Sequence, residues 1–304
     1  SAAGQRTLLT CFNRRLAEYL RESVGDVPKL DVMHFHELCV RTAEEAGVAL
    51  PAIDEEPGSE YFEHGLPEAL AQAASRLGPR YDAIVVDEAQ DFRDWWWPAL
   101  LALHEDPDEG MLYLFADDNQ NLYQGGRLPV EPEAFCPPLP ANLRNTRAIH
   151  EFVSVFYDGT PKPASKGPEG RAPEILGYRD AEELAHLLAV VLHNLVDQEH
   201  VPLDDIVVLT PSGKAKSELR ARERVNGFRL SDSVEPGTVL TESIHRFKGL
   251  ERPVVILAEL GDKHQEDLSQ YLYIGGSRAK NQLIVLAAEP VARDLRRLTG
   301  VSGP

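Results

Sequence analysis

The string YDAIVVDEAQDF, residues 81–92, concentrates more chemistry than any other part of the chain. An apolar run ends there in two acids, Asp87 and Glu88. That arrangement places both carboxylates at the C-terminal edge of a sheet, where open α/β folds bind ligands. In phosphoryl-transfer sites the first such acid supports Mg²⁺, and the second orients or deprotonates the attacking water. Acids are also favoured at a helix start by the helix dipole alone. The complete DEAQDF string goes beyond what that plain role requires.

Chemistry on a triphosphate also calls for a phosphate loop, G-x-x-x-x-G-K-[ST], whose glycines let backbone N–H groups surround the phosphates. The single Gly-Lys pair, Gly213-Lys214 in TPSGKAKS, has Val208 at the first glycine's place and Ala215 after the lysine, so it reads as an ordinary loop. His34, His36 and Cys39 have a spacing that hints at metal, but structural zinc takes four ligands and no suitably spaced fourth follows. The run Trp95 to Trp97 opens a helix after DEAQDF. Its rings cannot all face one side, so one or two enter the core and the remainder is left to an absent domain or a partner.

These residues need a scaffold, and the pattern supplies one. Short apolar, β-rich runs recur at 7–12, 31–35, 83–86 and 111–116, then at 173–178, 205–210, 238–241, 253–260 and 282–287. Helical patterns follow several of them, at 14–22, 36–46, 147–156, 181–196 and 214–222. Strands alternating with helices predict parallel sheets covered by helices. The proline-rich stretch 128–140 stops both helix and central strand, which sets a domain boundary at about 130, with one α/β unit over 1–130 and another over 131–304. Residues 158–173 have the composition of a surface loop, and 50–67 read as an acidic insertion without a clear period.

Composition narrows the classes. A chain of 304 residues with 43% hydrophobic and 26% charged content is globular and long enough for two domains. No apolar run approaches the roughly 20 residues that span a bilayer, and three scattered cysteines form no disulfide framework, so a soluble cytoplasmic protein without membrane contact is expected. The net charge of −18 argues against a protein that coats nucleic acid through a basic surface, while leaving room for a local basic groove. The opening SAAGQ runs at once into TLLTCF, which reads as a segment cut from a longer protein.

Taken in order, the motifs resemble those of the UvrD/Rep-type DNA helicases. LLTCFNRRLA (8–17) and MHFHELC (33–39) are similar to two nucleic-acid-contacting motifs, DEAQDF to the Mg²⁺ and water-activating motif, and LFADDNQNLYQ (114–124) to the motif coupling nucleotide to strand. LPANLRNTRAI (139–149) matches the start of the second motor domain, and SIHRFKGLE (243–251) and LYIGGSRAKNQL (272–283) its last two motifs. The resemblance implies two RecA-like domains, each a mainly parallel sheet flanked by helices, that meet at an ATP cleft.

Residue by residue, it implies that Asp87 holds Mg²⁺, Glu88 serves the attacking water, and Gln120, Arg144 and Arg278 act at the γ-phosphate. Gln90 and Glu251 would contact the nucleotide. Phe12, Asn13, His36, Tyr123 and His245 would line a single-strand path, where rings stack on bases with little regard to sequence. The implied cofactors are ATP and Mg²⁺, and the implied partners are single-stranded DNA and an upstream segment carrying the phosphate loop. The same residues suit RNA.

Departures from the pattern are Gly125 in place of an aromatic residue, Ser243 in place of threonine, Gly275-Gly276 in place of larger residues, and an aromatic displaced by one position at Phe12. The segments between motifs are short, which implies reduced accessory domains and weak duplex separation. A helicase or translocase core, inactive by itself, is the leading expectation. The alternative is a non-catalytic binding module that keeps the motor fold for contact with nucleic acid or protein.

Overall fold

The runs of β-branched and apolar residues in the first half form strands Thr7–Cys11 (β1), Leu30–His34 (β2), Ala83–Asp87 (β3) and Met111–Leu114 (β4). In the computed structural model, which describes residues 4–52, 59–106, 110–120, 126–129, 137–159 and 162–301, they make a parallel sheet ordered β2-β1-β3-β4. Cys11 stands in register with His34 on one side and Asp87 on the other, so the strands finish together at one edge. Helix Arg14–Val24 (α1) starts where Asn13 accepts the Arg15 and Leu16 amides at 2.9 and 3.4 Å, and it stops at Gly25, whose φ of +69° suits glycine. Helices Phe35–Glu45 (α2), Leu66–Leu77 (α3) and Trp97–Leu101 (α4) complete a core around Phe35, Leu70, Ile84, Phe92 and Trp96, each worth roughly 2 kcal/mol in burial.

This set falls in one compact unit, Ser1–Cys136, and the remainder in a second, Pro137–Pro304. The second unit opens with Ala141–Asn142 (β5), Arg147–Ser154 (α5) and Ala164–Ser165 (β6), the two strands pairing with each other. Its main sheet holds Glu174–Tyr178 (β7), Ile206–Thr210 (β8), Arg224–Val225 (β9), Phe228–Ser231 (β10), Thr238–Ser243 (β11), Arg252–Leu260 (β12) and Ala279–Ala288 (β13). The order is β7-β13-β12-β8-β11-β10-β9, parallel except for the β9–β10 hairpin. Every residue of β8 and β11 is buried, as expected of central strands covered on both faces. Helix Ala181–His193 (α6) lays Leu184, Leu188 and Leu192 on one face of the sheet. Helices Ile244–Phe247 (α7), Leu268–Gly276 (α8) and Glu289–Thr299 (α9) complete the unit. Among the described residues no helix is long and apolar enough to cross a membrane.

The fold departs from the sequence pattern at several places. Residues 214–222 were expected to be helical, but only a short 3₁₀ turn, Lys214–Lys216, forms. Two buried carboxylates redirect the rest: Glu259 accepts the Leu219 amide at 2.7 Å, and Glu242 takes the Arg220 guanidinium at 2.6 Å. The described end of the acidic stretch is also helical, since Tyr61–Gly65 makes a wide π turn that leads into α3, while 53–58 lie outside the described residues. Within the expected surface loop 158–173, β6 forms and pairs with β5. Part of the proline-rich stretch, 130–136, lies outside the described residues.

Arg220 and Glu242 are 2% and 0% exposed at the side chain, so each neutralises a charge that would otherwise sit in the core. Arg220→Met alone should destabilise the second unit by about 3–5 kcal/mol, because it removes the buried partner of Glu242 and leaves its charge to the longer, more exposed contact with Arg246 at 3.5 Å. Arg220→Met with Glu242→Leu should recover most of that loss. Urea denaturation checks both, and equal losses in the single and double variants would contradict the assignment.

Candidate functional site

The acid pair ends β3 in a strained turn. Glu88 has φ of +53°, a left-handed conformation that costs a non-glycine residue on the order of 1 kcal/mol. The turn is held from both sides, Ala89 N–H donating to the Phe115 carbonyl at 2.8 Å and Phe115 N–H to the Val86 carbonyl at 2.9 Å. Side chains extend the hold. Gln90 Nε2 donates to Glu88 Oε2 at 2.7 Å, and Gln90 Oε1 accepts the Asp117 amide at 3.1 Å. Asp117 Oδ2 then accepts Gln120 Nε2 at 2.7 Å. Glu88 and Gln120 thus sit at opposite ends of one chain of hydrogen bonds. Gln90 and Gln120 are only 2% and 8% exposed, so their amides are fixed.

Asp87 lies beside this chain, one carboxylate oxygen accepting the Glu88 amide at 3.0 Å. The neighbouring Cys11 reports the local field: burial, then the charges of Asp87, Glu88 and Asp91, push its thiol pKa far up. A concentration of negative potential at a strand end suits a cation. No group of three or more His, Cys, Asp or Glu among the described residues could hold a metal by itself. Mg²⁺ generally takes one or two protein carboxylates and completes its shell with water and phosphate, and Asp87 fits that lighter role.

The residues expected on a strand path have other engagements. Asn13 caps α1. Phe12 lies against His36 and Trp96, with ring centroids 5.7 and 5.6 Å apart. His36 Nε2 is 3.0 Å from the Phe62 carbonyl, which can only accept, so that nitrogen carries the proton. Burial, then the nearby His34, lowers the His36 pKa to about 4. Of the tryptophan run, Trp96 and Trp97 are buried and Trp95 is 46% exposed. Tyr123 and Gly125 lie outside the described residues.

In the second unit the structure brings three motifs together. Arg144 Nε donates to Glu251 Oε2 at 2.8 Å, and Lys280 Nζ pairs with the other carboxylate oxygen. Burial opposes ionisation of Glu251, but Lys280 and Arg144 together hold its carboxyl below the usual range. Asn145, 1% exposed, ties the two basic turns: its Nδ2 donates to the Ser277 and Ala279 carbonyls at 3.0 and 2.6 Å. Asn142 supports it, with Nδ2 donating to Asn145 Oδ1 at 2.7 Å and Oδ1 accepting the Arg144 amide at 3.1 Å.

Arg278 is placed differently from its neighbours. It is 1% exposed and folds back on α8, Nε donating to the Ile274 carbonyl and Nη2 to Ser277 Oγ, each at 3.0 Å. To meet a phosphate it must leave that position. His245 sits on α7 with its ring 6.0 Å from Tyr271, and burial, then Lys248, lowers its pKa. Gly275 and Gly276 have a packing reason. A Cβ there would come within 2.6 Å of Leu257 and 2.8 Å of Val153, so the larger residues of the helicase pattern would not fit.

Asp117, Asn145 and Lys280 belong to these clusters and were not singled out from sequence. Asp117 was visible as the first acid of FADDNQ, and Asn145 as the residue after Arg144. Neither position reveals which turn the side chain bonds.

Residues 238–286, which span β11 to β13, match the family model described as the UvrD-like helicase C-terminal domain. No curated protein matches the chain. Among solved structures, the C-terminal domain of a possible DNA helicase from Lactobacillus plantarum WCFS1 is similar at 21% identity, with a TM-score of 0.39 over 48% of this chain and 86% of that one.

The His36 ring must be neutral to keep its place. With a folded pKa of about 4 against 6.5 unfolded, the stability it carries is complete above pH 6.5 and is lost as pH falls toward 4. Over that window His36→Gln should lose less stability than wild type, by on the order of 2 kcal/mol. Urea denaturation at pH 7, 5.5 and 4 checks this, and parallel losses in the two proteins would contradict it.

Proposed function

From the UvrD-like helicase C-terminal segment at residues 238–286, we propose that the chain is part of the motor core of an ATP-dependent, single-strand DNA helicase or translocase. The observation that carries the reading is this match, because it falls on the segment that holds His245, Glu251, Arg278 and Lys280. The first unit supports it independently, with an acid pair and a γ-phosphate glutamine joined through Gln90 and Asp117.

In this reading Glu88 orients the attacking water and accepts its proton, while Gln90 fixes the carboxylate. Gln120 lies at the far end of the same chain, so a contact made at its amide is felt at Glu88 through Asp117 and Gln90. Mg²⁺, held by Asp87 and the phosphates, would supply charge neutralisation when bound. Arg144 exchanges Glu251 for phosphate, since a guanidinium fork binds phosphate oxygens bidentately. Glu251, still held by Lys280, is then left for the ribose.

The 304 residues contain no phosphate loop. The exposed edge of β4 suits a strand that would bring one. Among the described residues β4 pairs with β3 alone, and Tyr113 and Phe115 are 55% and 49% exposed, whereas parallel sheets are generally covered on both faces. Without that strand the chain should show little single-strand-stimulated ATP hydrolysis. Extended upstream to include a phosphate loop, it should turn over ATP, and Arg278→Ala should lower kcat by about 10³-fold or more.

One observation favours the alternative of a non-catalytic binding module: the inward position of Arg278. That alternative predicts an Arg278→Ala protein that is less stable while the extended chain hydrolyses no ATP. Hydrolysis by the chain as it stands, equal to that of the extended one, would overturn the phosphate-loop requirement.

A further inference from the structure

The acidic stretch and the tryptophan run, separate in the sequence, come together in the first unit. Glu63 offers a single carbonyl that accepts both the Trp95 and the Trp96 indole N–H, each at 2.8 Å. Next to it, His64 stacks on Trp95 at 5.0 Å between centroids and 11° between planes. The Phe62 carbonyl takes the Nε2 proton of His36, and the Phe62 ring lies 5.3 Å from the His36 ring. His36 in turn contacts Phe12 and Trp96. The turn Tyr61–Gly65 therefore rests on His36, one of the residues assigned above to the strand path, and on Trp95 and Trp96, the second of which packs on Phe12.

We propose that residues 59–65 are an internal cover over this ring surface, which a single strand of nucleic acid must displace in order to bind. The inference rests on the reading of Phe12 and His36 as strand-contacting residues. Three properties favour a cover over a permanent part of the strand site. The polar group that His36 would offer a strand is already donated to the cover. The outer side of the cover carries Glu60 and Glu63, the latter also 3.8 Å from Arg93, and carboxylates repel an approaching polyanion. Its hold on the rings is local and of a kind that a strand's acceptors and bases can replace, namely the Phe62 and Glu63 carbonyls and the ring contacts His64–Trp95 and Phe62–His36. Tyr61 against the core, the Glu63–Arg93 pair and the close approach of Gly65 to the Pro51 ring, where a Cβ would come within 2.7 Å, anchor the turn itself. Phe62 remains 37% exposed.

The test uses the full chain and a (dT)20 oligonucleotide at fixed salt. Phe62→Ala combined with Glu60→Gln and Glu63→Gln weakens the cover and leaves Phe12, His36 and Trp96 in place. The triple variant should bind (dT)20 roughly tenfold more tightly than wild type. In wild type, the oligonucleotide should speed hydrogen exchange of the amides at 61–65. Equal or weaker binding by the variant, or slower exchange at 61–65, would show that this segment belongs to the strand site, overturning the cover while leaving the strand path intact. Absence of binding in both proteins, each with native near-UV circular dichroism, would overturn the cover and the strand assignment together. Trp95→Phe removes one of the two indole donors without removing a ring. It should raise affinity in the same direction by a smaller factor, and an unchanged or lower affinity counts against the cover.

Discussion

The turn that follows β3 is the constraint on which the candidate chemistry depends. A glutamate in the left-handed region is unfavourable by itself, and it persists here because the surrounding bonds over-determine it. The backbone clamps Val86, Ala89 and Phe115 together, and Gln90 fixes the Glu88 carboxylate from within. The result is that the Glu88 carboxylate and the Gln120 amide, the water-orienting and phosphate-sensing groups of the proposed reading, are tied into one hydrogen-bonded chain. Gln90 and Asp117 join the 115–120 segment to Glu88 through direct hydrogen bonds.

The second unit solves the parallel problem for cations. Arg144 stands on a short turn before α5, and Lys280 and Arg278 flank the start of β13. Asn145 bonds the two turns through carbonyls that belong to the 277–279 stretch, so the basic groups are set by backbone geometry and not by their own flexible side chains. Glu251 keeps Arg144 and Lys280 from repelling each other in the absence of an anion. Two glycines before Ser277 let α8 approach the sheet and α5 closely enough for this arrangement to form. Their departure from the helicase pattern is a packing adjustment.

Much of the scaffold was legible because the central strands of the second sheet are buried on both faces. Runs such as Ile206–Thr210 and Arg252–Leu260 carry little but apolar and β-branched residues, and the structure places strands at each expected site. The acids at the end of β3 were legible because a strand boundary fixes where they emerge. Helical periodicity failed at 214–222, where Glu242 and Glu259 act from distant strands and outweigh local preference. The orientation of Arg278 was equally hidden: its identity suggests a phosphate contact, and its position reflects carbonyl and hydroxyl acceptors on α8. The ring cluster was visible only in pieces. Nothing in the spacing of Phe62 and Glu63 indicates that their carbonyls, and not their side chains, engage His36 and the tryptophans.

The phosphoryl-transfer assignment stands or falls on the Glu88 carboxylate. Its most direct test is steady-state ATP turnover, with saturating single-stranded DNA, by the chain joined to a phosphate-loop segment, comparing Glu88→Gln with the parent. The prediction is a kcat lowered by about a thousandfold or more, with nucleotide affinity changed by only a few-fold, because the amide keeps the hydrogen bond to Gln90 and loses the base. A variant that turns over ATP within a few-fold of the parent would contradict the assignment.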